Sequence, residues 1–196
     1  MVAITSSSLF MLVKRHEFLR KCLCKVNTMF NRQALDELRD SLLGTRQTIA
    51  VAESVTSGFL QAAFSTVPDA ASFFHGGITA YNLGQKYRHL RVDPIHAEDC
   101  NCVSEQVAAT MALEVCQLFS SHWGVAITGY ATKVPEGGNE LHAFYAVAHK
   151  GKVVEEAIVR ANTKEGVDAQ LYFVNEVLKA LQKQIKEPAA KRPSVS

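Results

Sequence analysis

The chain has 196 residues, 47% of them hydrophobic, and a formal net charge of +2. That length suits one domain with tails, and the composition supports a sizeable buried core. The near-neutral balance gives no electrostatic footprint for nucleic acid or an anionic membrane surface, and no apolar run approaches the ~20 residues that span a bilayer.

Residues 1–30 read as an N-terminal extension. From Met1 to Arg32 the only acidic residue is Glu17, among Lys14, Arg15, Arg20, Lys21, Lys25 and Arg32. This composition fits a mitochondrial transit peptide. A disordered extension, or a segment upstream of a start at Met29, fits it too. The expected compartment is the cytoplasm, or the mitochondrion if the basic segment is a transit peptide. The five cysteines include two CxC pairs, Cys22 with Cys24 and Cys100 with Cys102. They lack zinc-site spacing and are expected to be reduced thiols, with no metal bound.

The folded domain is expected over residues 31–185. Leu35, Leu38 and Leu42 share one face of a predicted helix at 31–43, with Gly44 as its C-cap. A strand is predicted at 47–52. A tight turn, Glu53-Ser54-Val55-Thr56-Ser57-Gly58, leads into a helix at 57–66. Gly76 and Gly77 open a strand at 76–81 and suit either a β-bulge or close approach of a ligand. A short helix comes next at 85–90. Ser104 caps a helix whose Val107, Met111, Val115 and Leu118 form an apolar stripe. A buried strand is predicted at 123–128, then a hairpin, 141–149 with 152–161, turning at Lys150-Gly151. The last helix, 164–185, carries Val167, Leu171, Val174, Leu178, Leu181 and Ile185 at core spacing. Residues 186–196 read as a disordered basic tail. This order predicts an α/β fold: a single-domain, three-layer α/β/α sandwich around a mixed sheet.

The turn at 53–58 holds the chemistry-bearing residues. It offers a carboxylate, three hydroxyls and the unpaired N–H groups of a helix start, which attract anions. Ser54 is a nucleophile if a base reaches it. Plain helix capping explains the same residues without chemistry.

Four blocks appear in order: AESVTSG at 52–58, TVPDAASFFHGGITAYNLGQK at 66–86, VSEQVAATMA at 103–112 and AITG at 126–129. Together they resemble the C-terminal domain of the competence/damage-inducible CinA family, whose stand-alone members are nicotinamide-nucleotide amidases. The resemblance implies a serine/lysine hydrolase that deamidates nicotinamide mononucleotide, needs no cofactor or metal, and self-associates as a homo-oligomer. By position it implies Ser54 as nucleophile, Lys86 as base and Tyr81 as a proton relay or orienting group. Glu53, Thr56, Ser57, Gly58, Gly77, Asn82, Thr128, Gly129 and Lys164 would contact the nucleotide. The alternative is a catalytically silent relative that binds a ligand or serves as a structural subunit.

Three departures from the family pattern stand out. Val55 and Ser57 replace a usual cysteine and glycine. Residues 130–138 replace a shorter glycine-rich loop and bring in Tyr130. Lys164 and Asp168 stand where relatives often carry arginines, which weakens the expected phosphate grip.

Overall fold

The computed structural model describes residues 29–162 and 164–186; the readings of residues 1–28 and of the tail from 187 lie outside them. Five strands form one sheet in the order β2-β1-β3-β4-β5. They are β1 (Ile49–Glu53), β2 (Phe74–Thr79), β3 (Trp123–Tyr130), β4 (His142–His149) and β5 (Lys152–Arg160). β1 runs parallel to both β2 and β3, whereas β3-β4 and β4-β5 are antiparallel. The parallel half is the interior of an α/β unit, and the antiparallel half is the hairpin turning at Lys150 and Gly151.

Strand alternation sorts the core into two layers. Val51, Val125, Ile127 and Val147 meet α1 (Arg32–Thr45), α2 (Phe59–Ser65) and α6 (Val167–Lys186) on one face. Ala50, Ala52, Ala126, Ala146 and Ala148 meet α3 (Leu83–Leu90), α4 (Pro94–Asp99) and α5 (Glu105–Leu118) on the other. Small side chains on this second face let α5 lie close to the sheet. At Gly124 a Cβ would stand 2.1 Å from the Ala112 carbonyl oxygen and 2.5 Å from Cys116 Sγ. The result is a three-layer α/β/α sandwich around a mixed sheet.

Polar caps fix where the helices begin. Asn31 accepts from the Ala34 N–H, Asn82 from Gln85 and Ser104 from Val107. Between Ile49 and Ala50 the partner on β2 jumps from Phe74 to Gly76, so of the two readings of this glycine pair the bulge is present, and Gly76 takes φ +118°.

Several boundaries differ from the sequence expectation. α1 runs past Gly44, and Arg46 instead ends it in the left-handed conformation, donating to the Leu42 and Leu43 carbonyls. α4 has no counterpart among the predicted elements. At six residues it is too short for periodicity, although Asp93 caps it and Pro94 opens it. α6 starts at Val167 because Gly166, at φ +62°, first donates its N–H to the Ala131 carbonyl. Leu118 and Val167 are exposed, so neither belongs to the core stripe expected of it.

Two glycine substitutions test this packing. Gly44→Ala, with open space around its Cβ inside α1, should stabilise the fold by about 0.5–1 kcal/mol. Gly124→Ala should destabilise it by about 1–3 kcal/mol, because α5 must move off the sheet. Urea denaturation reads both; a loss at position 44 would restore the C-cap reading.

Candidate active site

β1 ends on a buried carboxylate that organises the turn and helix after it. Glu53 is fully buried, and both of its oxygens accept hydrogen bonds. Oε2 accepts from the Thr56 hydroxyl at 2.5 Å, the Gly58 N–H at 3.1 Å and the Leu60 N–H at 3.0 Å. Oε1 accepts from the Gln61 N–H at 2.8 Å. The open donors of α2 are thus satisfied by the chain's own anion, where the dipole favours one. Within this turn Ser57 takes φ +51°, a left-handed conformation that glycine adopts at no steric cost.

The cap fixes Ser54. Its N–H donates to the Ile127 carbonyl at 3.0 Å, and its own carbonyl accepts from the Ser57 N–H at 3.2 Å. Gln170 of α6 holds the turn from the other side, its side-chain amide donating to the Val55 carbonyl at 2.7 Å. Lys86 lies on α3, one turn past its Asn82 cap, and reaches inward. Its Nζ donates to Ser54 Oγ at 2.9 Å. The lysine is 1% exposed and the serine 6%. Burial pushes the Lys86 amine below its ordinary range, opposed by the nearby Cys102 thiol. A neutral amine accepts the serine proton through this same contact.

The pair opens onto a cleft of about 710 Å³. Tyr81, Asn82, Thr128 and Gly129 line it with Ser54 and Lys86. Tyr81 is 70% exposed at the rim. Thr128 donates its hydroxyl to the Cys102 carbonyl at 2.8 Å, which anchors the 100–103 loop to β3. Glu53, Thr56, Ser57, Gly58 and Gly77 do not line the cleft. Gly77 serves packing instead, since a Cβ there would stand 2.6 Å from the Val51 carbonyl. Lys164 and Asp168 lie in a separate depression along α6, where Lys164 Nζ stands 4.6 Å from the centre of the Tyr172 ring. Val55, the first departure from the family turn, is on the cleft wall.

The cleft also contains residues that sequence reasoning left out. Glu98 of α4, Asn101, Cys102, Glu136 and Gln170 all line it. Asn101 donates its amide to the Tyr130 hydroxyl at 2.9 Å, so Tyr130 is part of a fixed wall. The loop accommodates its ring at Gly137, where a Cβ would lie 2.7 Å from it. Among the described residues, no group of three or more His, Cys, Asp or Glu side chains is placed to hold a metal ion.

The chain is similar to several known proteins. A CinA-like protein of Synechocystis sp. is 45% identical over 94 residues, 48% of this chain and 22% of that protein. One from Prochlorococcus marinus is 40% identical over 112 residues, 57% of this chain and 25% of that protein. The matched regions thus span about a quarter of those relatives' length. A competence or damage-inducible protein from Enterobacter asburiae shares the fold with a TM-score of 0.74 at 24% identity, over 78% of this chain and 96% of that one. A CinA superfamily protein from Escherichia coli does so with a TM-score of 0.71 at 26% identity, over 81% and 91%. The family model described as the CinA C-terminal domain matches residues 31–185, the whole of the sandwich and its cleft, and the chain belongs to that family.

Proposed function

We propose that the protein is a serine/lysine amidohydrolase that converts nicotinamide mononucleotide to nicotinate mononucleotide and ammonia, a step of pyridine-nucleotide salvage. The observation that carries this reading is the 2.9 Å contact between two buried groups, Lys86 Nζ and Ser54 Oγ, at the floor of an open cleft. A serine at a strand-to-helix turn beside a desolvated lysine supplies a nucleophile and a base for amide hydrolysis. The amidases that the sequence blocks resemble supply the substrate.

In the proposed reaction Ser54 Oγ attacks the carboxamide carbon while neutral Lys86 takes the serine proton. The C–N bond breaks as Lys86 returns that proton to the leaving nitrogen, and ammonia departs. Water attacks the acyl-serine ester, giving up a proton to Lys86, and the acid leaves as Ser54 regains its hydrogen. Amides already bonded to Glu53 or within the turn cannot hold the oxyanion. Among the described residues, the N–H of Val55, a residue of the cleft wall, has no internal acceptor, so it is the donor assigned to the oxyanion. Tyr81, which makes no hydrogen bond to Ser54, is placed to meet the substrate rather than to relay the serine proton.

A silent, ligand-binding relative is the second reading. It is favoured by the bulky Tyr130 wall and by the absence of any arginine or second lysine among the described residues lining the cleft. Ammonia release from nicotinamide mononucleotide separates the two readings. Turnover supports the amidase, and its absence in the folded protein supports the silent relative.

Ser54→Ala should abolish ammonia release with the fold intact. Lys86→Ala should lower it by at least about a hundredfold, and the double variant should be little worse than either alone. Full turnover by folded Ser54→Ala protein would end the serine mechanism.

The lowered Lys86 pKa also has a stability consequence. The unfolded chain holds the lysine proton up to its ordinary value, whereas the folded chain loses it at lower pH. The unfolded state therefore binds more protons in that window, and wild-type stability rises with pH through it. Lys86→Met should be more stable than wild type at pH 7, a gap that shrinks as pH approaches 10.5, the ordinary lysine value. Urea denaturation across that range checks it; a gap that widens with pH would mean Lys86 is not desolvated.

A further inference from the structure

The charge around the cleft is lopsided. Lys86 is the only cationic residue lining it among those described, and its amine is already engaged with Ser54. Glu98 and Glu136 put two carboxylates on the walls. The groups expected to take a phosphate are engaged elsewhere. The amides of Gly58, which precedes α2, and of Leu60 and Gln61 within it bind Glu53, and Lys164 sits against Tyr172 in another depression. Asp168, in the first turn of α6, lies with Lys164 in that other depression. Tyr81 and Tyr130 contribute phenol rings, whose faces attract cations.

We propose that the cleft takes a carboxamide carried on a permanently cationic ring, a quaternary pyridinium, and requires no phosphate on it. This rests on the amidohydrolase reading above and narrows its substrate class. The pyridinium charge fits the two carboxylates and the phenol rings. It also serves the chemistry, because a positive charge arriving near Lys86 favours the neutral amine that accepts the serine proton. A phosphate dianion would act in the opposite direction on both counts. The nucleoside is therefore the better ligand, and the nucleotide is used despite its phosphate.

The test uses full-length Ser54→Ala protein, so that binding is measured without turnover. Nicotinamide riboside, nicotinamide mononucleotide and the uncharged dihydronicotinamide riboside are titrated by calorimetry. The riboside should bind at least as tightly as the mononucleotide, and the uncharged ring about tenfold more weakly, the scale of a cation–π contact plus an exposed charge. Glu98→Gln with Glu136→Gln should weaken riboside binding about threefold to tenfold and move the riboside-to-mononucleotide preference toward the nucleotide. A mononucleotide bound tenfold or more above the riboside, equal binding of the uncharged ring, or no binding of any of the three overturns the proposal. Ammonia release by the wild-type protein is measured with the same ligands. Charge-selective binding without ammonia would fail the amidohydrolase reading alone, whereas ammonia from the mononucleotide with none from the riboside would fail this proposal alone.

Discussion

The site depends on one buried anion. Glu53 closes β1 and takes four hydrogen bonds from the turn and first residues of α2. Bonds to a buried carboxylate are worth roughly twice neutral ones and leave little freedom in the backbone they join. They hold Ser57 in a left-handed conformation that a side chain rarely adopts. They also place Ser54 at the carboxyl end of a central parallel strand, where open α/β sheets gather their ligands. β3 ends at Tyr130 beside it, and the chain leaving β2 delivers Tyr81 and Asn82. One helical turn beyond the Asn82 cap brings Lys86 onto the serine.

Lys86 is costly to bury. A lysine ammonium out of water loses hydration that one hydroxyl does not restore, and the protein relieves this by making the neutral amine accessible. For catalysis that is the useful state. Fold stability and base strength therefore pull in opposite directions at this residue, a compromise typical of functional sites. The neighbouring Cys102 is also desolvated, and burial raises its thiol's pKa. Its charge coupling to Lys86 favours the ionised amine, but burial of the lysine outweighs it and the net shift is downward.

Much of this was legible in the sequence, for identifiable reasons. The β1-turn-α2 unit could be read because its signals are local: an apolar run, then hydroxyls and glycine. The hairpin, the Ser104 cap and the bulge at Gly76 could be read for the same reason. The role of Glu53 could not, since a strand-end carboxylate that reaches amides as far as eight residues ahead has no short capping pattern. The burial of Lys86 was equally hidden, because residues 85–89 read as a polar surface helix and only the tertiary fold covers the lysine. Lys164 was placed by homology of position, but Gly166 turns the chain before α6 starts and leaves that side chain on another surface. The acidic cleft wall comes from α4 and the 130–138 loop, two pieces with no periodic signal.

The central claim is that Lys86 makes Ser54 a nucleophile. Covalent labelling by a small fluorophosphonate, read by intact-mass spectrometry and peptide mapping, tests it without assuming any substrate. The account predicts a single adduct on Ser54 that forms faster as pH rises and does not form in folded Lys86→Ala protein. An adduct that forms equally well without Lys86, or a wild-type protein that stays unlabelled while the reagent modifies a control serine hydrolase, would contradict it.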